Sequence, residues 1–272
     1  MLVSDALREA TAGLAATSDT PRLDAELLMA EALGVSRSDL LLRHMGEATP
    51  DAFAPLLERR LAQEPVAYIL GHQEFYGLRL RVTPAVLIPR GDSEVLVDAA
   101  LAAKPEAGTV LDCGTGSGAL LLAVLAHLPA ARGIGVDRSA EALAVARRNA
   151  EALGLADRAE MRIADWHEGL EGGFDLILAN PPYVEDDAEL SPSVRDHEPA
   201  MALFSGPEGL DDYRVLVPQL SKLLNPGGVA LVEIGHAQAE AVTAIAAAAG
   251  LSAVLRRDLG GRPRALEMRR AE

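Results

Sequence analysis

The tetrapeptide Asn180-Pro181-Pro182-Tyr183 is the most specific chemical signal in the sequence. Its two prolines restrict the backbone, so the Asn180 side chain and the Pro181 carbonyl can face one planar nitrogen, while Tyr183 offers an aromatic face. Two acceptors on the N–H bonds of an amide or exocyclic amine raise electron density on nitrogen and align it with a methyl donor. We expect Asn180, Pro181 and Tyr183 to be catalytic and all four residues to bind substrate. A proline-rich turn that merely leaves a strand is the alternative.

The second signal is the glycine-rich stretch Gly114-Thr115-Gly116-Ser117-Gly118, between a predicted strand and a predicted helix. Glycines let the backbone bend sharply and approach a ligand, and a helix N-terminus presents free N–H groups. Such a stretch alone also fits an ordinary tight turn. Asp137 ends the next predicted strand, where a carboxylate can accept hydrogen bonds from both hydroxyls of a ribose. The alternative is that Asp137 only caps the following helix.

The third signal, Asp165-Trp166, follows another predicted strand. The acid can accept a hydrogen bond from an adenine amino group, and the only tryptophan can pack near the ring; a single tryptophan also commonly belongs to a core. An acidic residue expected to bind the ribose, followed along the chain by one expected to bind the adenine, points to S-adenosylmethionine rather than to a dinucleotide. The predicted cofactor-binding residues are Gly114, Thr115, Gly116, Ser117, Gly118, Asp137, Asp165, Trp166 and Asn180.

The elements that must position these residues alternate between strand and helix, which predicts an α/β fold with a parallel sheet covered on both faces. The predicted strands are Thr109–Cys113, Gly133–Val136, Ala159–Ile163, Phe174–Ala179 and Gly228–Ile234, followed by a hairpin of Ser252–Arg257 and Ala265–Arg269. The predicted helices between them are Asp92–Ala103, Ala119–His127, Ala140–Leu153 and Tyr213–Leu224.

Three regions are predicted along the chain. Residues 1–72 carry leucines at helical spacing and form a small N-terminal helical domain. Residues 73–90 change to the alternating pattern of a β-hairpin and then a proline-stiffened linker. Residues 91–272 form the catalytic domain.

Composition excludes several classes of protein. The 272 residues contain 25 Lys and Arg against 40 Asp and Glu, a net charge of −15, and 49% are hydrophobic. The hydrophobic share excludes a disordered chain, and the acidic balance argues against a broad nucleic-acid-binding face. One cysteine cannot form an internal disulfide, and the histidines show no metal-ligand spacing, so we expect no metal. No signal peptide or membrane span is recognisable, so we expect a cytoplasmic protein.

Beyond these motifs, the sequence resembles the HemK/PrmC family, the protein-(glutamine-N5) methyltransferases that modify peptide-chain release factors. The resemblance covers nearly the whole chain. It rests on the tetrapeptide and on the segments Gly71–Gly77, Val86–Arg90, Leu111–Gly118, Glu198–Leu203, Gly209–Asp211 and Glu233–Gly235.

The resemblance implies a class I S-adenosylmethionine-dependent methyltransferase with a Rossmann-like seven-stranded sheet, in which the last hairpin supplies the antiparallel strand. Residues 114–118 would line the methionine and ribose of the cofactor, Asp137 would hold the ribose, and Asp165 and Trp166 would flank the adenine. S-adenosylhomocysteine would be the product.

The substrate implied by the resemblance is the glutamine in the Gly-Gly-Gln motif of class-1 release factors. Asn180 and the Pro181 carbonyl would accept hydrogen bonds from its carboxamide, and Tyr183 would pack on it. The N-terminal helical domain would help dock the release factor. We expect no direct nucleic-acid or membrane partner, and a monomer.

The chain departs from the family pattern at one place. Where the family usually has Arg-Pro-Glu-Thr-Glu, this sequence has Arg90-Gly91-Asp92-Ser93-Glu94. Gly91 lacks the fixed φ of proline, so we expect a looser helix start, with Asp92 and Ser93 available as N-caps.

Two other functions are compatible with part of the sequence. An adenine-N6 nucleic-acid methyltransferase is permitted by the tetrapeptide alone, but the chain has no dense basic stripe. A non-catalytic cofactor-binding or docking module is the other, and the presence of every expected site residue argues against it.

Overall fold

The computed structural model describes residues 1–166 and 168–271. His167 and Glu272, which the sequence analysis assigned to the catalytic domain, lie outside the described residues. The chain divides into two compact units: residues 1–72 with 190–197, and residues 73–189 with the chain from 198 onward. Among the described residues, no helix has both the length and the apolar character needed to cross a membrane.

The helices are numbered in chain order: α1 Val3–Leu14, α2 Pro21–Leu33, α3 Arg37–Asp39, α4 Phe53–Leu61, α5 Val66–Leu70, α6 Glu94–Ala103, α7 Ala119–His127, α8 Ala140–Ala152, α9 Pro192–Arg195, α10 Asp211–Leu223 and α11 Ala239–Ala248. A π-helical turn, Leu40–His44, continues α3. The helices of the first unit pack around fully buried leucines such as Leu14 and Leu28. A buried ion pair, Asp24 to Arg60 at 2.7 Å, joins α2 to α4.

A two-stranded hairpin opens the second unit. Strands β1 (His72–Phe75) and β2 (Leu78–Arg81) are joined by Tyr76 and Gly77, whose φ angles are 50° and 72°. Positive φ at both central residues is the type I′ geometry that matches the twist of paired strands. The hairpin and turn expected at this place are therefore present.

The main sheet contains β3 Thr109–Cys113, β4 Arg132–Asp137, β5 Ala159–Ile163, β6 Phe174–Ala179, β7 Leu224–Glu233, β8 Leu251–Arg257 and β9 Pro263–Arg270. Their order is β5-β4-β3-β6-β7-β9-β8. The pairs from β5 to β7 are parallel, and β9 is antiparallel to both of its neighbours. The predicted seven-stranded α/β fold with one antiparallel strand is confirmed.

Alternation along the strands divides the apolar side chains between two cores. In β6, Leu176 and Leu178 belong to the core beneath α6, α7 and α8, whereas Ile177 and Ala179 belong to the core beneath α10 and α11. Because both faces of a parallel sheet are buried, the strands appear in the sequence as continuous apolar runs. This explains why most of their boundaries were predicted to within one or two residues.

Helical boundaries differ from the prediction in two places. The helix expected from Asp92 begins as a 3₁₀ turn at Gly91–Ser93 and becomes α-helical only at Glu94. Helix α11 was not predicted, although it covers one end of the sheet through Val242 and Ala246.

Candidate active site

The carboxyl ends of β3, β4 and β6 meet at one cavity of about 970 Å³, part of which is open to solvent. Strand β3 lies between β4 and β6. From β3 the chain adds β4 and then β5 on one side and afterwards crosses back to add β6 on the other side, so the strand order reverses at β3. In open α/β sheets this switch point is where ligands bind.

The structure places most of the predicted cofactor residues on this cavity: Gly114, Thr115, Gly116, Ser117, Asp137, Asp165, Trp166 and Asn180 line it. Pro182 lines it as well. Of the described residues predicted for the site, Gly118, Pro181 and Tyr183 do not line it.

The glycines of the turn after β3 have different roles. Gly114, Gly116 and Gly118 have φ angles of 72°, 54° and 83°, a region that side chains other than glycine rarely adopt. A Cβ on Gly114 would lie 3.2 Å from the Trp166 ring, and one on Gly118 would lie 3.0 Å from Leu122. A Cβ on Gly116 would meet nothing within 4 Å. Gly116 therefore leaves open space beside the cavity, whereas Gly118 allows α7 to begin close to its neighbours.

Asp137, at the end of β4, holds this turn with both carboxylate oxygens. Its Oδ2 accepts from the Gly116 N–H at 2.9 Å and its Oδ1 accepts from the Ser139 N–H at 2.8 Å. The alternative that Asp137 caps α8 is wrong, because Ser139 is the N-cap and accepts from the Ala142 N–H at 3.1 Å. Asp137 thus places a carboxylate at the cavity wall.

Asp112 is a cavity residue that the sequence analysis did not select. It is buried at the end of β3, its Oδ2 accepts from the Thr115 hydroxyl at 2.6 Å, and its Oδ1 has no hydrogen-bond partner among the described residues. Burial raises the pKa of Asp112 to about 7, and the charge of Asp137 adds to the shift. A buried carboxyl with an unused oxygen in a cavity suits a cationic ligand group. The available signal was an acid inside an apolar strand.

Asp165 and Trp166 follow β5. Asp165 is exposed, Trp166 is half-buried with a φ of 50°, and both line the cavity. The Ala164 N–H donates to the Asp137 carbonyl at 3.1 Å, which ties the segment to the end of β4. The lone tryptophan thus packs at the border of a core and also faces the cavity.

Asn180 and Tyr183 differ in position. The Asn180 side chain lines the cavity and its Nδ2 donates to Ser93 Oγ at 3.4 Å. Tyr183 is half-buried behind it, and its hydroxyl donates to Glu233 Oε1 at 3.4 Å. Burial raises the pKa of Tyr183 to about 12, so the phenol stays protonated at neutral pH.

Backbone hydrogen bonds fix the tetrapeptide. The Tyr183 N–H donates to the Leu203 carbonyl at 3.1 Å, and the Tyr183 carbonyl accepts from Gln238 Nε2 at 3.0 Å. Pro181 and Pro182 are both buried. The segment is therefore held from two sides, as a site that positions one small group requires.

Glu233 is a second residue that the sequence analysis left without a role. It ends β7, where Ala179 pairs with Val232, so it lies across from Asn180 at the carboxyl edge of the sheet. It is 3% exposed, and burial raises its pKa to about 6. The Ser93 and Tyr183 hydroxyls and the charge of Arg264 partly offset that shift.

Charged groups brace the segment before α6. Arg90 forms a paired interaction with the buried Glu198, at 2.7 and 3.3 Å, and Glu198 Oε2 also accepts from the Ile88 N–H. Asp92 pairs with Arg264 at 2.8 Å. The helix start at Ser93 has no side-chain cap hydrogen bond. The expected capping by these residues is therefore wrong, because the Asp92 and Ser93 side chains serve other contacts.

Two family models match this chain. Residues 5–71 match the model described as PrmC N-terminal domain, and residues 104–252 match a model described as methyltransferase domain. The second match spans more than half of the chain and contains the glycine turn and the tetrapeptide.

Full-length relatives and a solved structure agree with these matches. The chain is 46% identical to the release factor glutamine methyltransferase of Caulobacter vibrioides, covering 87% of this chain and 84% of that protein. It is 45% identical to the enzyme of the same name from Cereibacter sphaeroides, covering 99% of each. A methyltransferase structure from Pyrococcus furiosus shares the fold, with a TM-score of 0.53 and 18% identity over 80% of this chain and all of that one. By its sequence and fold, the chain belongs to the release factor glutamine methyltransferase (HemK/PrmC) family.

Proposed function

We propose that this protein transfers a methyl group from S-adenosylmethionine to the side-chain amide nitrogen (N5) of the glutamine in the Gly-Gly-Gln motif of class-1 release factors. The observation that carries the proposal is the position of Asn180. It heads the Asn-Pro-Pro-Tyr segment at the end of β6 and lines the same cavity as the glycine turn, Asp137 and Trp166. An amide-binding group thus lies beside the nucleoside-binding groups.

The residues of the cavity fit S-adenosylmethionine. The free Oδ1 of Asp112 is a suitable partner for the ammonium of its methionine part, and the open side of Gly116 leaves room for that part to approach the backbone. Asp137 would hold the ribose, and Asp165 and Trp166 would flank the adenine. When bound, the cofactor supplies a methyl group made electrophilic by a positively charged sulfur.

The tetrapeptide then acts on the glutamine amide. The nitrogen lone pair of a carboxamide is delocalised into its carbonyl and is a weak nucleophile. Hydrogen bonds from its two N–H groups to Asn180 Oδ1 and the Pro181 carbonyl raise the electron density on nitrogen and fix its direction. As the N–C bond forms, the S–CH3 bond of the cofactor would break and S-adenosylhomocysteine would leave as a neutral thioether, so the nitrogen would carry a positive charge and a strongly acidic proton. That proton is lost to solvent, so the chain needs no strong base.

The N-terminal helical unit is proposed to dock the release factor. Residues 5–71 match the PrmC N-terminal domain model. The negative charge of the whole chain, −15, favours a basic protein surface over a polyanion as the partner. A monomeric state stays a prediction.

Peptide mass spectrometry tests the proposal. A purified release factor is incubated with the protein and S-adenosylmethionine, and the Gly-Gly-Gln peptide is expected to gain one methyl group. Asn180→Ala is expected to lose at least about 100-fold in rate, as when a transition-state hydrogen-bonding group is removed, while still binding S-adenosylhomocysteine. Asn225→Ala is the matched control, because Asn225 contacts Asp175 and Gly173 at the opposite end of β6.

Three results would overturn the proposal: no methyl group on that peptide although the cofactor binds, transfer to DNA oligonucleotides instead, or full activity in Asn180→Ala. The first two would reject the substrate, and the third would reject the amide-binding role of Asn180.

A further inference from the structure

Two buried polar groups beside the cavity have no assigned role. Ser93 is 5% exposed and lies just before α6, and Glu233 is 3% exposed at the end of β7. Ser93 Oγ accepts from Asn180 Nδ2 at 3.4 Å, and Glu233 Oε1 accepts from the Tyr183 hydroxyl at 3.4 Å. The Asn180 and Tyr183 side chains of the tetrapeptide therefore each contact one member of this pair.

The orientation of the Asn180 amide decides whether the site can work. An acceptor, Oδ1, must face the substrate nitrogen, and Nδ2 must face away from it. In the structure Nδ2 contacts Ser93. A hydroxyl, however, both donates and accepts, so Ser93 alone would hold the amide in either orientation.

Glu233 removes this ambiguity. Its Oε2 has no hydrogen-bond partner among the described residues, and the Ser93 hydroxyl stabilises the charged form of the Glu233 side chain. A carboxylate only accepts. If it takes the hydroxyl hydrogen of Ser93, the Ser93 oxygen is left as an acceptor, and only the Nδ2 end of Asn180 can bind it.

We propose that Ser93 and Glu233 are positioning residues that fix the Asn180 amide with its oxygen toward the substrate. The Ser93 hydroxyl would donate its hydrogen to Glu233 Oε2, which has no hydrogen-bond partner among the described residues, while Ser93 Oγ accepts from Asn180 Nδ2. Through Oε1 the same carboxylate holds Tyr183. This inference rests on the proposed amide methylation, because only an amine or amide acceptor needs Oδ1 in that place.

The surrounding charges favour a carboxylate in this role. Arg264 and Arg90 both stabilise the negative form of Glu233 electrostatically. Arg264 is itself anchored on Asp92 at 2.8 Å, in the turn that carries Ser93. The positive groups thus offset the cost of burying the carboxylate.

The test compares four variants by steady-state kinetics on a release factor and by calorimetric binding of S-adenosylhomocysteine. Ser93→Ala is expected to lower kcat about tenfold, the factor typical of one hydrogen bond. Ser93→Thr restores the hydroxyl and is expected to recover most of that loss. Glu233→Gln is expected to lower kcat by about 30-fold or more, because a glutamine amide can donate to Ser93 and reverse the chain of hydrogen bonds. In each variant KM for the release factor and the affinity for S-adenosylhomocysteine are expected to stay within about twofold.

Glu267→Gln is the matched control. Glu267 is an equally buried glutamate on β9, paired with Arg256 and Arg269 and away from the tetrapeptide. It is expected to leave kcat unchanged even where it lowers thermal stability. A loss of activity in this control equal to that in Glu233→Gln would mean that kcat responds to stability alone, and would overturn the inference.

Failure of the proposed function and failure of the positioning role give different experimental results. A wild-type protein that binds S-adenosylhomocysteine and transfers no methyl group rejects the proposed function, and this inference with it. An active wild type with Ser93→Ala and Glu233→Gln at full kcat rejects only the positioning role. If Glu233→Gln does not fold, the Ser93→Ala and Ser93→Thr pair decides: equal kcat values in the two variants reject the positioning role, and recovery by threonine supports it.

Discussion

Replacement of Asp112 by Asn is predicted to remove a pH-dependent loss of folding stability and to weaken binding of the cofactor. The carboxyl has a pKa near 7 in the folded chain against 3.8 in an unfolded one. Because the folded state binds the proton more tightly, the stability contributed by this group falls as pH rises from about 4 through 7. Linkage over these two pKa values gives a loss of roughly 2–3 kcal/mol between pH 5 and pH 8. Asparagine does not titrate, so the variant escapes this loss.

Binding of the cofactor, by contrast, is expected to become weaker in the Asp112→Asn variant. In the variant an uncharged amide replaces the carboxylate oxygen that would meet the ammonium of the cofactor. A hydrogen bond to a charged group contributes about 1.5–3 kcal/mol, so at pH 8 the Kd of S-adenosylhomocysteine is expected to rise about 10- to 150-fold. Asp112→Asn is therefore expected to be more stable relative to wild type at pH 8 than at pH 5, and to bind S-adenosylhomocysteine more weakly than wild type at pH 8, where the wild-type carboxyl is ionised.

Urea denaturation at pH 5 and pH 8 and isothermal titration calorimetry measure the two effects. The comparison uses the difference between variant and wild type, so other titrating groups cancel. Asp175→Asn is the control, because hydrogen bonds from Asn225, Gly108 and Thr109 lower the pKa of Asp175 and its stabilising effect is lost at low pH instead. A stability difference that is the same at both pH values would refute the buried-carboxyl argument, and an unchanged Kd at pH 8 would refute the ammonium contact.

Two further predictions concern the cofactor side of the site. Gly118→Ala is expected to lower the free energy of unfolding by about 1–3 kcal/mol, because its φ is 83° and the new Cβ would lie 3.0 Å from Leu122; a thermal melt that does not shift would contradict this. Trp166 is the only tryptophan and lines the cavity, so its fluorescence is expected to change with saturable dependence on S-adenosylhomocysteine concentration. A fluorescence spectrum unaffected by a ligand that calorimetry shows to bind would place the adenine away from Trp166.

The sequence was most informative where one element carries its own signal. The runs at Thr109–Cys113 and Phe174–Ala179 are continuous and apolar because both faces of these strands are buried, and both were predicted with the right ends. Helix α11 was missed because it is mostly alanine and buries only Val242 and Ala246, so it has little apolar periodicity. The high helix propensity of alanine does not identify a helix when a periodic apolar pattern is missing.

The site was predictable where its residues follow directly on strands. Asp137 ends β4 and Asn180 directly follows β6, the two parallel strands on either side of β3, and the carboxyl ends of parallel strands meet at one edge of the sheet. Ser93 and Glu233 contact Asn180 and Tyr183 only because the fold brings distant segments together, and the pairing of Ala179 with Val232 brings the Glu233 end of β7 beside the tetrapeptide. No stretch of consecutive residues in the sequence indicates which strands pair or in which register.

The insertion of β9 between β7 and β8 has a consequence for how the protein is made. Strand β9 follows β8 along the chain but lies inside it in the sheet, hydrogen-bonded to both β7 and β8. While the chain emerges from the ribosome, β7 and β8 appear first and have no native partner in each other. The Glu233 end of β7 therefore remains an open sheet edge until β9 arrives. Assembly of the catalytic unit therefore waits for β9, and a nascent chain stalled before Pro263 would expose an apolar edge to chaperones.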